Sequence, residues 1–376
     1  NNTDCNDSNA GINPGATEIQ DNGVDENCNP IDDSSDDGSE GDDCQVEGCC
    51  CDSCSSCNDL LSAGSCDTVY LNGDIGAEDN GDIGAEDDIC INMVSDKTLD
   101  CNGHSVDGEG VSNNPGILLN DVSNSKVKNC VITNWYWGVS IYNSSTDNEI
   151  SENEISESRS QGINIDAGST DNIIRDNTII SSSADYGVVI MGSSDRNTLN
   201  GNAITGKAVS PGQFGVGEGT VGIKITGINY TEIRDCDLTS WYHAIRITSG
   251  SSNNEIIGGR MFNNAWRGIF ISSDNNTVNG VVANNNHIDG IYVGGNWNTI
   301  INNNVKYNNG GISSNGIKID SDNDYNELSA NTVCSNEEDI DLSSLAGPNN
   351  FGDDNTCNTG YNWADEGVAE GCTYYC

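Results

Sequence analysis

A short pattern repeats through most of the chain: Gly or Ala, an aliphatic residue, any residue, then a second aliphatic. It reads Gly116-Ile-Leu-Leu119, Gly138-Val-Ser-Ile141, Gly162-Ile-Asn-Ile165, Gly187-Val-Val-Ile190, Gly222-Ile-Lys-Ile225, Ala244-Ile-Arg-Ile247, Gly268-Ile-Phe-Ile271, Gly290-Ile-Tyr-Val293 and Gly316-Ile-Lys-Ile319. The copies are spaced by 22, 24, 25, 35, 22, 24, 22 and 26 residues, and Asp339-Ile-Asp-Leu342 follows at 23 as a worn last copy. A fixed period in this range marks a repeat architecture. The alternating aliphatics make each copy a short strand with one buried face. A second strand recurs as Asn148-Glu-Ile-Ser, Asn172-Ile-Ile-Arg and Asn326-Glu-Leu-Ser, and a third as Asn153-Glu-Ile155, Asn177-Thr-Ile179 and Asn331-Thr-Val333. Three short strands with Asn, Gly, Ser and Asp corners leave no room for a helix in a period of about 24 residues. The expected fold is all-β, a single-stranded right-handed parallel β-helix of about ten to eleven coils, stacked about 4.8 Å apart over one core.

Only 34% of the 376 residues are hydrophobic, which suits a solenoid whose coils each bury a few inward side chains. Abundant Gly and Asn supply left-handed corners. With 59 acidic and 14 basic residues the net charge is −45, so nucleic acid is excluded as a partner and cations are favoured. Seventeen cysteines argue for an oxidising, secreted or cell-surface setting, and a start at Asn1 is expected of a processed secreted chain. No apolar run is long enough for a membrane span. Sequons at Asn1, Asn6, Asn143, Asn229 and Asn275 are glycosylation candidates, against chance in an Asn-rich chain.

Four segments are expected: an acidic calcium-binding-type motif at 1–30, a linker and Cys-rich knot at 31–65, the β-helix at 66–342 and a Cys-rich cap at 343–376. Residues 1–90 hold 24 acids and no Lys or Arg. Asp4, Asn6, Asp7, Asn9, Glu18, Asp21, Asp25 and Asn27 offer closely spaced oxygen donors, punctuated by Gly and Pro as a loop around a hard cation requires. The alternative is a solvated acidic linker. The octamer Asn72-Gly-Asp-Ile-Gly-Ala-Glu-Asp79 repeats unchanged as residues 80–87, and Asp74, Glu78, Asp82 and Glu86 make a second candidate cation site, against an exposed self-repelling loop. Cys51-x-x-Cys54-x-x-Cys57 could hold zinc or an iron–sulfur cluster, but a disulfide knot suits a secreted chain better.

The opening Cys-Asn-Asp, Asn-Pro-Gly-Ala-x-Glu and Asn-Gly-x-Asp-x-Asn-Cys elements resemble the Asp/Asn-rich metal-binding motif of secreted bacterial and archaeal proteins. The resemblance implies calcium (Ca2+) and, with Gln20 where many members have Cys, a Cys5–Cys28 pair. Residues 98–108, the Gly-Ile-x-Ile coils, the Asn-x-Ile steps and the tail from Asn355 to Cys376 together resemble NosD-like right-handed β-helix surface proteins.

Cys130, Asn153, Asn177, Asn202, Cys236, Asn303 and Asn331 share one position, predicting an inward amide ladder. Cys130 and Cys236 lie about four coils, roughly 19 Å, apart and cannot pair. Both are expected as buried thiols, unless Cys130 meets Cys101 one coil below. The odd count then leaves a cysteine free or joined to another chain. Cys334, Cys357, Cys372 and Cys376 are expected to staple the cap. Trp135, Tyr136, Trp137, Trp241, Tyr242 and Trp266 precede the Gly-Ile strands, either as a sugar-binding strip or, preferably, as a corner stack.

These features favour a non-enzymatic structural protein of the cell exterior, a self-assembling subunit of a filament, sheath or surface layer held by calcium and disulfides. The alternatives are a glycan-binding adhesin and a polysaccharide lyase or epimerase. The enzyme is disfavoured because the bases look scattered and His104, His243 and His287 are far apart in sequence.

Overall fold

The three strands of each period become three parallel sheets in the computed structural model of the chain, holding 12, 12 and 11 strands. The chain divides into two units, Asn1–Gln45 and Val46–Cys376. The residues described are 48–376, except 77–88, 109–113, 182–184, 208–218, 249, 312, 345 and 369–370. Sheet A contains Glu149–Ser151 and its counterparts, sheet B Glu154–Ser156, and sheet C Trp137–Tyr142. Each strand pairs in parallel with its counterpart one coil away, as Val139 does with Ile163 and Ile163 with Val188. The fold is the expected right-handed parallel β-helix, of about 12 turns.

The count exceeds the expected ten to eleven because both ends join the stack. Cys50–Cys51 pairs with Tyr70–Leu71, and Gly360–Tyr361 with Ile340–Asp341. A helix, Cys54–Ala63, lies inside the Cys-rich knot. Ser53 caps it reciprocally with Ser56, and Gly64 closes it at φ 72°.

Glycine opens the sheet C strands for a steric reason. A Cβ at Gly138 would lie 2.5 Å from Ile155 Cγ2 and 2.7 Å from the Gly162 carbonyl oxygen. Gly138 and Val139 therefore both face the core, and the residues flanking them, Trp137 and Ser140, are carried outward. The x of the repeat is the outward position.

The amide ladder is present. Asn153 Nδ2 donates to Asn177 Oδ1 at 3.0 Å, and Asn177 Nδ2 to Asn202 Oδ1 at 3.0 Å. Two more ladders were not anticipated: Asn254–Asn276–Asn298–Asn326 and Asn264–Asn286–Asn308–Asn336. Left-handed Asn and Asp corners recur in register, as at Asn124, Asp147 and Asp171.

The knot is made of disulfides, Cys49–Cys66, Cys51–Cys57 and Cys54–Cys90, rather than a metal centre. Cys101–Cys130 joins adjacent coils, the exception allowed for above. Cys334–Cys376 and Cys357–Cys372 staple the cap as expected. The free cysteine among the described residues is Cys236, fully buried, so it offers no bridge to another chain. Burial also pushes its thiol pKa up to about 11. The proposed Cys5–Cys28 pair lies outside the described residues.

Candidate functional site

Sheet C carries basic and aromatic side chains on its outer side. The outward column runs Val189, Lys224, Arg246, Phe270, Tyr292, Lys318 and Asp341, each the register partner of the next. Beside it run Gln161, Tyr186, Val221, His243 and Arg267. The seemingly scattered bases are thus partly collected by the fold, because one period separates neighbours on the sheet.

Phe270 is the centre of the group. Its ring stacks on Tyr292 at 5.0 Å and meets His243 at 5.3 Å. Arg246 lies over Phe270 at 5.5 Å, and Arg267 over Tyr292 at 4.2 Å. Arg267 Nε also donates to Asp289, a carboxylate only 1% exposed, at 2.6 Å. Lys224 sits 4.6 Å over the Tyr186 ring. Tyr242 and Trp266 stack at 5.3 Å along the adjoining corner.

His243 is 5% exposed, and its Nδ1 has no hydrogen-bond partner. Burial first, then Arg267 and Arg246, hold its pKa well below the usual histidine range, so the ring is neutral near pH 7. Tyr292 donates to Asp320, and burial together with that hydrogen bond raises its pKa, so it stays protonated. Trp137 Nε1, Gln161 Oε1, Asn164 Oδ1, Arg246 Nε and Asn315 Oδ1 also lack partners, and all lie on sheet C. Buried polar groups are ordinarily paired.

The aromatic strip divides. Trp135 and Trp241 are 1% exposed and donate to the Val106 and Ile204 carbonyls, so they are corner packing, as preferred above. Past the sheet C strands, Trp297 and Tyr325 adopt left-handed φ of 60° and 58° and stack at 4.1 Å, 54% and 42% exposed. Sequence reasoning missed this pair. A cavity of about 270 Å³ at the sheet B–C corner is lined by Asn263, Asn285, His287 and Tyr307.

Of the candidate metal ligands, Asp4, Asn6, Asp7, Asn9, Glu18, Asp21, Asp25, Asn27, Glu78, Asp82 and Glu86 lie outside the described residues. Asp74 Oδ1 accepts from the Ser105 amide at 2.7 Å and lies 3.8 Å from His104 Nδ1. Asn143 and Asn275 are exposed and Asn229 half-buried, while Asn1 and Asn6 lie outside the described residues.

Fold, disulfides and site define an extracytoplasmic parallel β-helix protein. Residues 62–265 match the family described as "Periplasmic copper-binding protein (NosD)", more than half of the chain, and the chain belongs to that family. Residues 4–34 match a "Putative metal-binding motif". No curated protein sequence matches. Among solved structures, the A-module of a mannuronan C-5 epimerase from Azotobacter vinelandii is similar at 12% identity, with a TM-score of 0.55, over 81% of this chain and 82% of that one. The Dettilon tailspike protein is similar at 14% identity, with a TM-score of 0.56, over 86% of this chain and 64% of that one. An alginate lyase from Paenibacillus is similar at 13% identity, with a TM-score of 0.47, over 82% of this chain and 98% of that one.

The expectation that the chain is not an enzyme is corrected here. It rested on scattered bases and distant histidines, but the fold, which is also that of the epimerase module, puts His243, Arg246, Arg267 and Tyr292 side by side. The described residues do not fit the copper of the family description. They hold no cluster of three or more His, Cys, Asp or Glu side chains suited to a metal. No helix among them is long and apolar enough to cross a membrane.

Proposed function

We propose that the chain binds and processes a polysaccharide outside the cytoplasm, along the outer side of sheet C. The observation that carries this reading is the convergence of neutral His243, protonated Tyr292, Arg246 and Arg267 around Phe270. An imidazole with an unpaired nitrogen is a candidate proton acceptor, and a protonated phenol a candidate donor. Guanidinium groups stabilise negative charge developing on a sugar ring. Aromatic faces suit sugar C–H surfaces. The name of the similar epimerase module, which refers to mannuronan, supports the ligand class.

The test incubates the full chain with a polysaccharide panel and follows three products: unsaturated ends by ultraviolet absorbance, epimer ratio by proton NMR, and reducing ends. Turnover abolished by His243→Ala and Tyr292→Phe supports the proposal. Binding without turnover would reduce it to a glycan-binding protein, and neither would end it.

We propose further that the 4–34 motif holds calcium. It has oxygen donors in quantity and no His or Met, and its two cysteines, Cys5 and Cys28, are expected to pair with each other, which leaves no soft ligand to favour copper. Calcium binding by the full chain that survives excess copper is the expected result; preferential copper binding would overturn it.

A further inference from the structure

We infer that sheet C takes a polyanionic, carboxylate-bearing polysaccharide lying along the solenoid axis, one sugar per coil. This rests on the polysaccharide reading above and adds charge and direction to it.

The first ground is where the bases are. The chain has 59 acids for 14 bases, yet Lys224, Arg246, Arg267 and Lys318 fall on the outer side of five consecutive sheet C strands, with Tyr292 on the remaining one. Lys97, Lys126, Lys128, Arg175, Arg196, Arg234 and Arg260 each have a carboxylate partner. Lys224 and Arg246 are direct register partners, and neither forms an ion pair among the described residues. Two adjacent like charges repel, and in so acidic a chain a neutralising carboxylate was easily supplied. Among the described residues none is supplied, which leaves the pair available to an outside anion.

The second ground is the unpaired donors and acceptors. Arg246 Nε is buried without a partner, and so is Nδ1 of His243, a side chain only 5% exposed. Nε itself is out of reach of solvent, so an anionic ligand would meet the half-buried Arg246 side chain through the rest of its guanidinium, a group suited to carboxylate. The acids nearby are already engaged or lie at the far end. Asp289 holds Arg267, Asp320 accepts from Tyr292, and Asp341 pairs with Lys318 at 3.1 Å.

The third ground is spacing. Neighbouring strands are about 4.8 Å apart, close to one pyranose repeat of an extended polysaccharide. A chain along the axis would present successive carboxylates to Lys224 and Arg246, with Tyr186, Phe270 and Tyr292 beneath its rings.

The test titrates the full chain by calorimetry with oligogalacturonates and oligomannuronates of graded length, and with neutral cello-oligosaccharides as controls. Affinity for the acidic series should rise with length across several sugars and fall steeply with added salt. Lys224→Ala and Arg246→Ala should each weaken it about tenfold, Arg246→Lys less, and Lys306→Ala, on sheet B, should leave it unchanged. Equal, salt-insensitive binding of neutral oligomers, lost in Tyr292→Ala, would overturn the inference while keeping the polysaccharide reading. A plateau at two or three sugars would refute the axial direction, and equal weakening by Lys306→Ala would refute the site. No binding of the acidic series would end the inference, and the polysaccharide reading would then stand or fall on the wider panel above.

Discussion

Asn177→Ala tests whether the amide ladder holds the coils in register. Asn177 Oδ1 accepts from the Asn153 amide and from Asn153 Nδ2, both at 3.0 Å. Its Nδ2 donates to the Ile150 carbonyl at 2.9 Å and to Asn202 Oδ1 at 3.0 Å. Truncation removes all four bonds in a residue 1% exposed. Asn153 Nδ2 keeps the Val127 carbonyl, and Asn202 Oδ1 keeps the Asn177 amide, so these two groups lose one partner of two. The Asn153 amide loses the acceptor it had. An unpaired buried group costs about 1–3 kcal/mol and each of the three other lost bonds about 0.5–1.5, so the expected total is about 2.5–7.5 kcal/mol. Solenoid coils can unfold piecemeal, so urea unfolding should be paired with hydrogen exchange that localises the loss to residues 148–205. Glu154→Ala, at an exposed strand position, is the control, expected within about 0.5 kcal/mol of the parent. If Asn177→Ala costs no more than the control, the ladder is not a source of stability.

Cys236 should resist thiol reagents in the folded chain and react once denatured, because its thiol is buried and its pKa raised to about 11; labelling of the native chain would contradict this packing. His243 should make the fold acid-sensitive. Its folded pKa is depressed, so its contribution is present above the unfolded value of about 6.5 and is lost as pH falls toward the folded one. His243→Gln should flatten that acid limb in denaturation measured against pH, and an unchanged limb would place the sensitivity elsewhere. A bound polyanion should raise the His243 pKa toward normal, followed by NMR, and no movement on saturation would argue against a ligand beside it.

The architecture was legible because each coil must bury its own two aliphatics, and that demand writes a period into the chain. The extra coil at Cys50–Cys51 was not, since it lacks the Gly-aliphatic pattern and is fixed by disulfides. The helix Cys54–Ala63 was hidden because its apolar face is built largely from Cys54, Cys57 and Leu61 in a stretch that reads as cysteine spacing. The site was present in the sequence but unread. Lys224, Arg246, Phe270, Tyr292 and Lys318 all occupy the x of the repeat, the position a search for core residues discards. Reading down that column, rather than along the chain, collects them. The apolar neighbours on either side of x carry the fold, so x alone is free to vary with the ligand.

The most direct test of the account is a crystal structure of the full chain with a bound polysaccharide fragment. Sugars lying over Lys224, Arg246, Phe270 and Tyr292 on sheet C are the predicted result. Sugars seated instead at the Trp297–Tyr325 corner or in the His287 cavity, with sheet C bare, would contradict it.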